Sequence, residues 1–237
     1  MKPAEDSCAA YGTLGLVSLS FASGYTDVLT FLKLGNVFTS AMTGNTALLA
    51  IELGRGNIVA ASRALTALLG FALGVALATK VKTSLRLTPH VHRGFSRLII
   101  LELIFLTCCA ALWSASPDPV ASGTVYAVIL LSALSMGVQA VAAGSISSGI
   151  NTVVFTSALV RIVMSVTGAL SRSEEDSPLF AAIGGHLQAF ASYGCGALLA
   201  ATLVWHFPCA VIWVPGAAVL FALGASELAG KLEESKR

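Results

Sequence analysis

Apolar residues in this chain come in long runs, and six of them approach or exceed the ~20 residues that cross roughly 30 Å of hydrocarbon. The runs are Gly12–Leu32, Ala61–Thr79, Leu98–Trp113, Ser122–Ala143, Phe180–Trp205 and Cys209–Ser226. Between them lie a basic loop with Pro89, the turn SASPDP at Ser114–Pro119, the acidic loop SRSEEDSP at Ser171–Pro178 and HFP from His206. Prolines and charges fall where turns belong. The pattern predicts an all-α, polytopic integral membrane bundle.

Two further segments are apolar but speckled with Thr, Ser, Asn and Gly: Val37–Leu53 and Ile150–Leu170. Residues Ala121 to Val160 contain no Asp, Glu, Lys or Arg over 40 positions, and a continuous helix of that length would be about 60 Å, twice the membrane core. The chain must turn or break there. Gly144-Ser-Ile-Ser-Ser-Gly149 is the natural place, because glycine tolerates non-helical backbone, and Leu34-Gly35-Asn36 is the matching break in the first half. If the speckled segments are broken or re-entrant, six full spans remain with both termini and the basic loop in the cytoplasm. If both cross, there are eight spans and both termini lie outside.

The two halves share an order of long span, short break, speckled segment, span, span. Shifting the sequence by 113 positions lays Gly24 on Gly137, Thr39 on Thr152, Thr43 on Thr156 and Gly44 on Ser157. The repeated order suggests an internal duplication within a single membrane domain, 1–237, with one repeat over about 12–114 and the other over about 121–228. With three spans in each half, the second repeat is inverted relative to the first, as in many secondary transporters.

Composition agrees with the pattern: 56% of the 237 residues are apolar and 11% are charged, with a mean hydropathy of +0.83, against about 25% charged in soluble domains. The net charge of +2 gives no argument for nucleic acid. Its distribution is informative, since Lys80, Lys82, Arg86, Arg93 and Arg97 share one short loop without an acid, and such loops stay on the cytoplasmic side. The first apolar run is longer than a signal-peptide core of about 7–15 residues and reads as a retained span. Cys8, Cys108, Cys109, Cys195 and Cys209 lie mostly inside apolar runs without metal-ligand spacing and read as packing residues.

Asp27 lies about fifteen residues into the first run. An intramembrane aspartate is costly unless paired, protonated or hydrated, so it is a functional candidate by default. A carboxyl that exchanges a proton within reach of a cavity is what proton coupling requires; a purely structural helix-capping or charge-neutralising role is the alternative. The stretch FTSAMTGN, Phe38 to Asn45, then places Thr39, Ser40, Thr43, Asn45 and Thr46 around Gly44. These groups suit either non-helical backbone at depth, which needs internal hydrogen-bond partners, or close helix packing, as Gly70 and Gly74 suit in a GxxxG pair. Arg161, in the second speckled segment, is an available cation for Asp27, and pairing of the two across the repeats is a further expectation.

Other polar groups read as blander: Glu102 near the headgroups, His186 as a structural histidine, and Trp113, Trp205 and Trp213 as interfacial residues. HExxH, a phosphate-binding Gly-rich loop and a dinucleotide fingerprint are all missing. An enzyme is not expected.

The succession Phe21-Ala-Ser-Gly-Tyr-Thr-Asp27-Val, Phe31, Gly35, Val37-Phe38 and Met42-Thr43-Gly44-Asn45-Thr46 resembles the N-terminal signature of the YoaK-like membrane proteins. Met136-Gly137-Val138-Gln139-Ala140 with Phe155-Thr156-Ser157 resembles the second motif of that family, with Ser157 where glycine is expected. The resemblance covers nearly the whole chain. It implies a multi-pass membrane protein of a bacterial inner membrane or a fungal membrane, and supplies no substrate. The residues and the resemblance together give a candidate set of Asp27, Thr43, Gly44, Asn45, Gln139, Thr156 and Arg161. The expected function is carriage of an unidentified small-molecule solute, coupled to protons through Asp27, with a channel or a non-transporting scaffold as alternatives. The expected partners are the lipid bilayer and that solute; a homo-oligomer is left open, and no nucleic acid, cofactor or metal is expected.

Overall fold

The computed structural model describes residues 2–84, 91–116, 123–146, 159–160, 162–164, 167, 177–207 and 210–234. Its long helices are α1 (Lys2–Lys33), α2 (Met42–Gly54), α3 (Ile58–Ser84), α4 (Val91–Ala115), α5 (Val125–Ile146), α6 (Ser177–His206) and α7 (Val214–Glu234), with a 3₁₀ turn at Val211–Trp213. No strand occurs among the described residues. All of these helices except α2 are long and apolar enough to cross a membrane, making six, and they coincide with the six apolar runs. The protein is a multi-pass helical membrane bundle.

With 13 residues, α2 is only about 20 Å long and too short to span. In the first half, the speckled segment is therefore a loop followed by a half-length helix. Its counterpart in the second half is described only at Leu159, Val160, Ile162, Val163, Met164 and Thr167, all helical. α5 is described as far as Ile146, and the rest of the expected Gly144–Gly149 break lies outside the described residues. The basic stretch is carried largely on helix ends: Lys80 and Lys82 lie in the last turns of α3, and Arg93 and Arg97 in the first turns of α4.

The inward face of α3 is made of small residues, Ala61, Ala64, Ala67, Gly70, Gly74 and Ala78, all buried. Leu65, Leu69, Leu73 and Leu77, spaced four apart, are exposed on its other side. Lipid is as apolar as leucine, so nothing drives large side chains inward, and close backbone approach stabilises the helix pair instead. A Cβ on Gly74 would run into the backbone of Leu134 on α5, and one on Gly137 would run into Phe71 O on α3. The same device joins α1 to α6, where Gly24 meets the Tyr193 backbone and Gly196 meets Phe21 O.

Both of these close pairs run parallel. Contacts step together from Ser62–Tyr126 to Gly74–Leu134 along α3 and α5, and from Val17–Ser192 to Lys33–Trp205 along α1 and α6. Helix α1 also packs along α7, α5 packs along α4, and α4 meets α7. The most buried helices, α1 and α5, thus occupy the centre, with α3 and α6 towards the lipid.

Candidate functional site

The first break is built by its own sequence. Gly35 (φ +85°) and Asn36 (φ +62°) take left-handed backbone, and Asn36 N–H donates to Phe31 O at 3.1 Å, a glycine-type helix stop. The chain then folds back along α1. Thr30 Oγ1 donates to Val37 O at 3.0 Å, and the rings of Phe31 and Phe38 stack at 4.9 Å.

Asp27 receives the returning loop. Its Oδ1 accepts from the backbone N–H groups of Thr39 and Ser40, each at 2.7 Å, and its Oδ2 accepts from Ser40 Oγ at 2.6 Å and Tyr193 O–H of α6 at 2.9 Å. The carboxyl group is fully buried. Non-helical amides at depth need internal acceptors, and Asp27 supplies them.

Asn45, the buried residue of α2, secures the other side of the loop. Its Nδ2 donates to Phe38 O at 2.6 Å, and its Oδ1 accepts from Phe38 N–H at 2.9 Å. Gly44 leaves room for the Phe38 ring, which a Cβ there would meet at 3.0 Å.

The structure thus brings Asp27, Gly44 and Asn45 together around one loop, but not the described candidates Thr43 and Gln139. Thr43 is exposed. Gln139 lies elsewhere, donating from Nε2 to Leu19 O at 2.8 Å. Thr156 and Arg161 fall outside the described residues, as does any pairing of Arg161 with Asp27. Glu102, which read as bland, is fully buried in α4, and among the described residues neither carboxyl oxygen has a partner, because its helix face points into the bundle.

Sequence reasoning missed Tyr193, whose role depends on α6 lying against α1 and has no local signature. It also passed over Arg63 on α3, whose guanidinium lies against Gly35. Among the described residues no group of three His, Cys, Asp or Glu side chains is placed to hold a metal.

Six spans and a short helix behind a buried, carboxylate-held loop define a polytopic membrane protein with an interrupted first half. The chain belongs to the family described as "Protein of unknown function (DUF1275)", which it matches over residues 15–225. It is 31% identical over 214 residues to the "UPF0700 transmembrane protein YoaK" of Bacillus subtilis (strain 168), covering 88% of this chain and 91% of that one. No solved structure matches it.

Proposed function

We propose that the protein is a secondary transporter of a small solute, with the loop at 34–41 as its moving part and Asp27 as its proton-linked latch. The observation that carries this reading is the loop itself: irregular backbone held inside a membrane bundle by an acidic side chain. Broken helices of this kind mark substrate and ion sites in transporters. With Asp27 ionised, both oxygens accept and the loop is held. A proton on Asp27 converts one accepting position into a donor, so the loop loses part of its anchorage.

The packing supports the inverted duplication. The first span of each half pairs in parallel with the second span of the other, α1 with α6 and α5 with α3, and each first span also packs along the other half's third span, α1 with α7 and α5 with α4. By the positive-inside rule, the basic stretch between α3 and α4 marks the cytoplasmic end of the bundle.

One observation favours a scaffold instead: both oxygens of Asp27 are occupied by the protein's own donors. Proton flux separates the readings. Purified protein in liposomes given a pH jump, with pools of small organic acids, amines and aromatics, should move protons only with the right solute, and Asp27→Asn should abolish that movement. Saturation and counter-exchange would mark a carrier and their absence a channel. No flux in any pool from well-folded protein would favour the scaffold.

A further inference from the structure

A second acid lies deeper in the bundle than the loop. Glu102 is fully buried, and among the described residues neither oxygen has a hydrogen-bond partner. An ionised carboxylate without a donor or a cation is untenable in such a place. Helices α4 and α5 run antiparallel, with Cys109 Sγ 3.1 Å from Ser132 Oγ; seven residues along each helix, the same register brings Glu102 opposite Gln139. Gln139 is also fully buried, and while its Nε2 is used on Leu19 O, its Oε1 has no partner among the described residues. A neutral acid has a proton to donate, and a carboxamide oxygen can only accept.

We propose that Glu102 and Gln139 form a proton-binding site in the middle of the bundle, with the protonated Glu102 carboxyl donating to Gln139 Oε1 after side-chain rotation within that layer. The proposal rests on the carrier reading for what the proton does, but not for where it resides. Most titratable groups on the surrounding helices are engaged elsewhere or distant along them; Tyr25 of α1, buried with its hydroxyl unpartnered among the described residues, is neither. Glu227 of α7 accepts from Ser96, and Asp27 of α1 holds the loop. Helix α5 carries only Tyr126, near its other end and bonded to Ser62, and Lys80 and Lys82 of α3 are exposed. On α4 itself, Arg97 lies towards the basic stretch, Cys108 is exposed and Cys109 faces Ser132. Leu19, Ser23 and Asp27 are spaced four apart on one face of α1, and Ser23 Oγ, buried and without a partner among the described residues, lies between the two acids along that face.

The test is infrared spectroscopy of the purified protein in lipid nanodiscs at neutral pH, read at the carbonyl stretch of a protonated carboxylic acid. The wild type is expected to show this band, Glu102→Gln to lose it, Asp27→Asn to keep it, and Gln139→Leu to shift it. A wild type without the band, a band that survives Glu102→Gln, or one unmoved by Gln139→Leu would overturn the proposal. If Glu102→Gln does not fold, Glu102→Asp and Gln139→Leu must still shift the band. Because the band reports the proton without any solute, it can be present where flux is absent, so failure of the carrier reading is distinguishable from failure of this site.

Discussion

Asn45 grips Phe38 by both edges of its carboxamide, donating to the carbonyl at 2.6 Å and accepting from the amide at 2.9 Å. The side chain does for Phe38 what a neighbouring strand would do, inside a protein whose described residues contain no strand. Asn45→Ala strands both backbone groups, at about 1–3 kcal/mol for each one left buried and unsatisfied. Asn45→Asp keeps the acceptor and loses the donor. Denaturant titration in detergent should rank wild type above Asn45→Asp and Asn45→Ala, and an unchanged midpoint for Asn45→Ala would refute the grip.

Asp27→Ala should destabilise more than Asp27→Asn. The asparagine can keep its oxygen on the Thr39 and Ser40 amides and turn its NH₂ towards the hydroxyls of Ser40 and Tyr193, which can reverse to accept; alanine leaves both amides without an acceptor, at about 1–3 kcal/mol each. The same titration, together with protease cleavage within the loop, measures the order. Equal stability of the two variants would mean that the carboxyl does not anchor the loop.

Tyr193→Phe removes one donor to an acidic acceptor and should cost about 1.5–3 kcal/mol if Asp27 is ionised. Thr202→Ala, on the same helix but exposed and bonded only to its own helix, is the control and should change little. A Tyr193→Phe protein as stable as that control would show that α6 does not help to hold the loop.

Gly196→Leu should disrupt the bundle, because even its Cβ meets the Phe21 backbone, whereas Gly194→Ala, with nothing within 4 Å of the added Cβ, should be accepted. Overpacking of a tight contact costs about 1–3 kcal/mol or more. Yield of monodisperse protein after extraction reads the difference, and a well-behaved Gly196→Leu would contradict the close approach of α1 and α6.

The six spans, the α1 break and the GxxxG contact at Gly70 and Gly74 were legible because each is written locally, in run length, in glycine and in the spacing of small residues. Asp27 was legible as an exceptional residue, since any charge inside an apolar run stands out. Its partners were less so: Thr39 and Ser40 lie close in sequence and were in view, but Tyr193 comes from α6, and no feature near it announces the contact. Glu102 stood out in the same way as Asp27, yet its proximity to Arg97 suggested the membrane surface.

By itself the sequence determined that this chain lives in a membrane, because a run of about 20 apolar residues has no other stable solvent. It also determined where the chain breaks, because Gly35 and Asn36 sit where left-handed backbone is needed. The tertiary structure alone decided which helices touch and what each buried acid faces. Those depend on how helix faces meet across the bundle, and a face is chosen by the packing of its neighbours, which no single segment encodes.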